Sequence, residues 1–299
     1  MLSICIPVYN RNIKTLVDRL HNQAQKVDAG IEIVVIDDAS ETVYQQENEQ
    51  NCQGKANYIQ LESNIGRSRI RNLFLQYTSQ PFLIFLDCDV VIPDSEFVQR
   101  YFNMVKERAP QLVAGGHYYK AEKVEHNKLL RWKFGVQRES PEAIQRSRNP
   151  YKSFKTSNFM VSLELFKKIN FDETIKGYGH EDTLFGYEIK QKNIPIVHIE
   201  NPVLIKDLDT NQEFLEKTKR SIENLILLLP KVNYDSQFIN DVTLLKVYYS
   251  LKRKHILWIV YLIYSLFNRL ILRKLLNGSG SLRLFDFYKL GYLIKLNKG

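Results

Sequence analysis

Short apolar runs alternate with helically spaced apolar positions along most of the chain, the pattern of βαβ units and a largely parallel sheet. Leu2–Val8 is almost continuously apolar and reads as a first strand. Leu16, Leu20, Ala24 and Val27 recur at helical spacing, which predicts a helix before a second strand over Ile31–Asp37. Tyr58–Leu61 gives a weaker third strand, and Ile70, Leu73, Phe74 and Tyr77 mark the next helix. The strongest strand signal is Pro81–Asp87; Phe97, Val98, Tyr101, Phe102 and Val105 then predict a helix, and Gln111–His117 a further strand. From about 120 to 153 the pattern fades into a basic, polar stretch that reads as an insertion or loop. Regular pattern returns at Phe154–Ser162, with helices near Leu163–Ile169, Glu181–Lys192 and Gln212–Leu229 and a strand over Ile194–Ile199. The fold class expected is therefore α/β.

In open α/β sheets, ligands bind beyond the carboxyl ends of the strands, and four such ends carry unusual residues. They are Pro7-Val-Tyr-Asn10-Arg11, Asp37-Asp38-Ala-Ser40, Asn64-Ile-Gly66-Arg67 at the opening of a helix, and Asp87-Cys-Asp89. The second is also a plausible cap or turn. Asp87 and Asp89 carry more chemistry: in an extended backbone residues i and i+2 share a face, so two carboxylates converge after an apolar strand. Their repulsion and desolvation are costly unless a cation joins them. Two hard oxygen donors suit Mg²⁺ or Mn²⁺, which completes its shell with water and substrate phosphates. Farther on, Gly177-Tyr-Gly-His-Glu181-Asp182 puts two acids at a helix start. That is ordinary helix-end electrostatics, or a general base for a substrate hydroxyl.

The ordered series Cys5-Ile-Pro-Val-Tyr-Asn-Arg11, Val35-Ile-Asp-Asp-Ala-Ser40, Asn64-Ile-Gly66 with Arg71-Asn72, Phe85-Leu-Asp-Cys-Asp-Val90 and Gly179-His-Glu-Asp182 resembles the inverting nucleotide-sugar glycosyltransferases of family 2, of bacterial type. The resemblance spans about residues 1–230 and implies a GT-A fold, Rossmann-like with a mostly parallel sheet. Residues 231–299 would form a basic, aromatic-rich helical region. It implies that Pro7, Tyr9, Asn10, Arg11 and Asp38, with Asp37 nearby, hold the nucleotide, and that Gly66, Arg71 and Asp87 flank the same pocket. Asp89, with Asp87, would be the D-x-D metal site for Mn²⁺ or Mg²⁺, and Asp182 the catalytic base, with Glu181 beside the acceptor. The activity implied is transfer of a sugar from a nucleotide-diphosphate sugar, UDP-linked, to a hydroxyl of a glycan or lipid-linked acceptor in cell-surface polysaccharide synthesis. One departure stands out. Many relatives carry a metal-binding His after an Asn-Pro-Val step, and here Asn201-Pro-Val-Leu-Ile205-Lys206 has Ile205 in its place. His198 in the preceding apolar run reads as a strand residue or a substitute ligand. Two other classes stay open: a degenerate GT-A fold serving as a carbohydrate or membrane adaptor, and a sugar-phosphate nucleotidyltransferase. The latter calls for a Gly-rich basic loop after the first strand, which Pro7–Arg11 is not.

Charge changes the picture in one region only. The 299 residues carry a net charge of +9, yet residues 1–245 hold 31 basic against 32 acidic residues and residues 246–299 hold 11 basic against Asp286 alone. The same tail contains the apolar run Ile256–Phe267 between Lys252-Arg-Lys-His255 and Arg269. At twelve residues it is shorter than the roughly 20 of a spanning helix. It reads as an in-plane helix on an anionic membrane, with Trp258, Tyr261 and Tyr264 at headgroup level, or as a helical pair packed on the protein. No nucleic-acid module is recognisable. Cys5, Cys52 and Cys88 lack metal or disulfide spacing and suit a reducing compartment. With no signal-peptide pattern at Met1–Pro7, the expected location is cytoplasmic, peripheral on the inner face of the membrane.

Overall fold

The computed structural model describes residues 1–27, 30–120, 122, 124–175 and 177–297. The chain forms two compact units. The first comprises Met1–Lys120, Ser140–Thr174 and Glu181–Asp207; the second comprises Ala121–Glu139, Ile175–His180 and Leu208–Gly299.

In the first unit, β1 (Leu2–Val8), α1 (Lys14–Ala24), β2 (Ile31–Asp37), α2 (Thr42–Cys52), β3 (Asn57–Gln60), α3 (Arg67–Leu73) and β4 (Phe82–Leu86) follow one another as βα repeats. Next come β5 (Val90–Val91), α4 (Phe97–Arg108), β6 (Leu112–Ala114) and β7 (His117–Tyr118). The remaining elements are α6 (Ala143–Arg146), β8 (Asn158–Ser162), α7 (Leu163–Lys168), α8 (Glu181–Gln191), β9 (Val197–His198) and β10 (Val203–Ile205). The main sheet has the order β3-β2-β1-β4-β8-β6-β9. All neighbours are parallel except β8, which runs antiparallel to both β4 and β6. A small second sheet, β5-β10-β7, follows the end of β4.

Alternation along the strands divides the core between the two faces of the sheet. Ile4, Ile6, Val35, Ile84 and Met160 pack with Val17 and Leu20 of α1 and with Phe97 and Tyr101 of α4. Cys5, Val34, Ile36, Phe85 and Phe159 pack on the opposite face with Ile70, Phe74, Phe166, Phe171 and Phe185. The second face is rich in aromatic rings, with Phe85 stacked on Phe159 at 4.9 Å and Phe171 on Phe185 at 4.7 Å. Such ring pairs add stabilisation beyond the area they bury and fix the positions of α3, α7 and α8 against the sheet.

The second unit is helical: α5 (Leu129–Phe134), α9 (Asn211–Lys231), α10 (Ser236–Asp241), α11 (Thr243–Arg253), α12 (Leu257–Leu276) and α13 (Leu282–Leu296). The region from 120 to 153, expected to be an insertion or loop, is largely short helices, α5 and α6 among them. Leu130, Leu215, Tyr264, Ile271, Leu275, Phe285 and Tyr288 form the unit's core. Asn211 ties its ends together, accepting from Leu130 N at 2.8 Å and donating to the carbonyls of His126 and Leu276 at 2.9 and 2.8 Å. Helix α9, which the sequence reading assigns to the first region, belongs to this unit. Tyr264 is buried, and Tyr261 packs against the same core. Burial removes Tyr264 from the headgroup role expected of it; of the three aromatics named, Tyr261 is half-buried and Trp258 is exposed.

Candidate active site

The carboxyl ends of β1, β2 and β4, with the N-terminus of α3, enclose a cleft of about 440 Å³. Pro7, Tyr9, Asn10, Arg11, Asp38, Gly66, Arg71, Asp87 and Asp89 all line it, joined by Asn64, Arg67 and Cys88. Nine of the residues singled out from sequence thus meet in one place, as the parallel pairing of β1 with both β2 and β4 requires.

Several of these side chains are committed to building the cleft. The Asp38 carboxylate accepts from Ile65 N at 2.7 Å and Gly66 N at 3.1 Å, while its carbonyl accepts from Asn64 Nδ2. Burial pushes the Asp38 carboxyl above its ordinary value, and these two backbone donors oppose that. Gly66 has φ of 84°, a conformation that a side chain would strain, and α3 begins from it. Asn10, also at positive φ, accepts from Glu41 N at 2.7 Å and takes Ser40 Oγ on its own N–H, tying the end of β1 to the start of α2. Asp37 does not face the cleft: it is fully buried and accepts from Ser40 N and Tyr58 Oη at 2.7 and 2.8 Å. Its part is to hold the turn that presents Asp38. Tyr9, Asn64 and Arg67 are the exposed members, and the half-buried Arg11 is paired to Asp207 at 2.9 Å.

The acids after β4 sit in a turn rather than in the extended backbone expected of them. Asp87 N donates to Ser157 O at 3.2 Å, and the chain then enters β5. Asp87 is paired with the buried Arg71 at 2.7 Å. Asp89 is raised by burial first and by the charge of Asp87 second, with Arg11 opposing. The Cys88 thiol between them is pushed up to about 12, chiefly by burial, and all three cysteines are free.

The residues present fit a divalent cation in their donor chemistry: two hard carboxylates in one cleft, one of them destabilised by its neighbour's charge. They supply no more than that, since among the described residues no group of three or more His, Cys, Asp or Glu is suitably placed. Ile205 pairs with Val90, next to Asp89, so the position where a third ligand was sought is adjacent but apolar. His198 is not a substitute. Its Nδ1 accepts from Arg146 Nε at 3.2 Å and its Nε2 donates to Pro150 O at 3.0 Å. Burial, chiefly, lowers its basicity, and the bond to Pro150 opposes this.

Glu181 and Asp182 open α8 and lie outside the residues that line the cleft. Glu181 is buried and connected to it through Arg67 Nη1 at 3.5 Å. Asp182 Oδ2 is 2.6 Å from Lys155 Nζ, and Oδ1 accepts from Thr183 N at 2.7 Å. Lys155 was missed in the sequence because nothing local marks a residue whose partner lies 27 positions away. Arg67 was visible as a cation at the start of α3, without its link to Glu181.

A family model for glycosyl transferase family 2 matches residues 3–170, more than half of the chain. The chain belongs to glycosyltransferase family 2. Its architecture, an α/β GT-A fold, is shared with solved glycosyltransferases of low identity. The mannosyltransferase PcManGT from Pyrobaculum calidifontis, in complex with GDP-Man and Mn²⁺, is 12% identical with a TM-score of 0.55, over 79% of this chain and 64% of that one. Glucosyl-3-phosphoglycerate synthase from Mycobacterium tuberculosis, in complex with Mn²⁺, UDP and phosphoglyceric acid, is 18% identical with a TM-score of 0.51, over 76% and 77%. S. aureus TarS 1–349 is 21% identical with a TM-score of 0.48, over 75% and 65%. The chain thus spans slightly under two thirds of the TarS fragment and of the mannosyltransferase. No curated protein sequence matches it.

Proposed function

We propose that the protein is an inverting, metal-dependent glycosyltransferase that moves a sugar from a nucleotide-diphosphate donor, UDP-linked, to a hydroxyl of a glycan or lipid-linked acceptor in cell-surface polysaccharide synthesis. The observation that carries this reading is the convergence of Tyr9, Arg11, Asp38, Gly66, Arg71, Asp87 and Asp89 on one cleft beyond the strand ends. Its 440 Å³ is of the size that a small-molecule ligand occupies.

In this reading the exposed Tyr9 ring and the wall formed by Asp38 and Gly66 receive the base and ribose. Arg11 and Arg67 offer positive charge to the diphosphate. Asp89, with Asp87, would hold Mn²⁺ or Mg²⁺, which when bound neutralises charge on the departing nucleoside diphosphate. Asp182 takes the proton from the acceptor hydroxyl, whose oxygen forms the new bond at the anomeric carbon as the bond to diphosphate breaks. The electron pair leaves with the diphosphate and the configuration inverts. Lys155 keeps the base oriented, and Glu181, held by Arg67, bounds the acceptor side. Positioning of two substrates and stabilisation of developing charge supply most of the acceleration.

The test is a panel of nucleotide sugars, screened for hydrolysis and for thermal stabilisation of the protein with Mn²⁺ and with EDTA. Metal-dependent binding and turnover of one donor support the reading. Absence of metal-dependent nucleotide affinity across the panel would favour a degenerate, non-catalytic fold.

A further inference from the structure

Helix α12 has two apolar faces, of which the second unit uses one. Tyr264, Ile271 and Leu275 are buried against α13, and Gly291 of α13 leaves room for the Tyr264 ring at their closest approach. On the other side, Trp258, Leu262, Leu266 and Leu270 follow one another at intervals of four, with Ile263 and Phe267 beside them, and all six are exposed. Leu266 is 69% and Trp258 60% accessible. The stripe runs for about 18 Å at the rise of an α-helix. Contiguous exposure of this kind marks an interaction surface rather than scattered surface hydrophobes.

The charges around the stripe decide its occupant. Lys252, Arg253 and Lys254 are exposed at the corner before α12, and Arg269 and Arg273 lie on the same side of the helix as the stripe, in its last turns. No acid occurs from residue 242 to residue 285. Asp286, the next one, is already bonded to Arg138 and Lys289. A second copy of this face would bring cation against cation with nothing to compensate. Nucleic acid would meet the cations but leave the leucines without a partner. An anionic lipid surface satisfies both, taking leucine side chains below the headgroups and the cations at phosphate level.

Among the described residues no single helix is long and apolar enough to cross a membrane, and α11 and α12, which together have the length and composition, are bent by 118°. With one face of α12 packed on α13 and the bend bearing Lys252, Arg253 and Lys254, a crossing would drag polar contacts into hydrocarbon. We infer that α12 lies flat in the interface of an anionic membrane, with the Trp258–Leu270 stripe immersed and Arg269 and Arg273 on lipid phosphates. This surface does not depend on the transferase reading, and vesicle binding tests it without any donor or acceptor.

The experiment is co-sedimentation of the full chain with vesicles of phosphatidylcholine alone and of phosphatidylcholine with phosphatidylglycerol, at low and high salt. Binding is expected only to the anionic vesicles and is expected to weaken with salt. Leu262→Glu with Leu266→Glu should abolish it, and these positions are exposed enough for the fold to survive, as circular dichroism and an unchanged melting temperature would show. Arg269→Gln with Arg273→Gln should weaken binding roughly thirtyfold, the loss expected for two interfacial charges. The inference is overturned if the wild type stays in the supernatant, or if the leucine variants sediment like wild type. It is equally overturned if sedimentation equilibrium shows a dimer that Leu266→Glu converts to monomer, because a second copy then covers the stripe.

Discussion

Lys155 Nζ lies 2.6 Å from Asp182 Oδ2, and the two residues come from different elements: the approach to β8 and the first turn of α8. The carboxylate proposed as the base is thereby held in one orientation by an ammonium that itself remains 43% exposed. Removing either group should separate binding from chemistry. Asp182→Asn is expected to lower transfer by about 10²–10⁴-fold, the range for loss of a general base, with donor affinity unchanged. Lys155→Ala should fold normally and reduce kcat by roughly tenfold while leaving donor Kd alone. Steady-state kinetics paired with nucleotide titration calorimetry reads both. Near-normal turnover of the asparagine variant would remove Asp182 from the role of base.

The acids after β4 are expected to differ in consequence. Asp87 is already neutralised by Arg71, whereas Asp89 has no ion pair of its own among the described contacts. Asp89→Asn should weaken Mn²⁺-dependent nucleotide binding roughly tenfold or more and make the remainder insensitive to EDTA. Isothermal titration with and without chelator checks this.

Arg71 is nearly fully buried, with Nη2 on Asp87, Nη1 on the Arg67 carbonyl and the guanidinium 5.7 Å from the Phe171 ring centroid. Replacement by Met preserves bulk and strands Asp87 without its partner. Breaking a buried pair from one side typically costs about 3–5 kcal/mol, and Asp87's partial exposure places this case at the lower end, about 3. Denaturant unfolding should show a lower midpoint with an unchanged slope.

In the helical unit, a β-carbon on Gly291 would collide with the ring of buried Tyr264. Gly291→Ala is expected to destabilise by about 1–3 kcal/mol, the usual cost of overpacking, despite alanine's better helix propensity. Gly291→Ala with Tyr264→Leu should recover part of the loss, which a double-mutant cycle would quantify.

The same unit has a pH dependence of defined sign. Burial raises the Asp286 carboxyl, but its bonds to Arg138 and Lys289 outweigh this and hold it below the ordinary carboxylate value. A carboxyl lowered on folding stabilises above its unfolded value, and that contribution fades as the pH falls through the folded one. Asp286→Asn should therefore unfold at a lower temperature than wild type near neutrality, with the difference shrinking in acid. Thermal melts across the acidic range would show it; a difference constant with pH would contradict the linkage.

The strands that build the cleft were legible because each is largely buried on both sides and therefore mostly apolar: β1 and β2 occupy the spans expected for them, residue for residue. Helix α2 was not legible. It buries only Asn48 and Cys52, so its sequence carries no apolar stripe, and its fixed point is polar: Asn48 accepts from Ile13 N and donates to Arg11 O. The segment from 120 to 153 failed for a related reason. Its helices are too short to establish a period, and Arg146 is buried by hydrogen bonds to the carbonyls of Gly115, Pro141 and Ile199. Likewise the Asn201-Pro-Val step proved to be a joint, with buried Asn201 accepting from Arg100 Nε and donating to Phe97 O. Sequence pattern reports hydrophobic partition; it is silent on contacts made by polar groups across long separations. Lys155 with Asp182 and Arg67 with Glu181 belong to that silent class.

The reversal of β8 within an otherwise parallel sheet has a consequence for what supports the edge of the cleft. Because Asn158 at the start of β8 stands opposite Leu86 at the end of β4, the residues just upstream of β8 arrive at the same edge as Asp87. The lining of the cleft is thus written in the first 89 residues, and the run-up to a strand that points the opposite way supplies the backbone on which its last turn rests. The turn that carries Asp87 therefore has two sources: its side chains come with β4, and the carbonyl that receives its N–H comes from Ser157, seventy residues later in the chain.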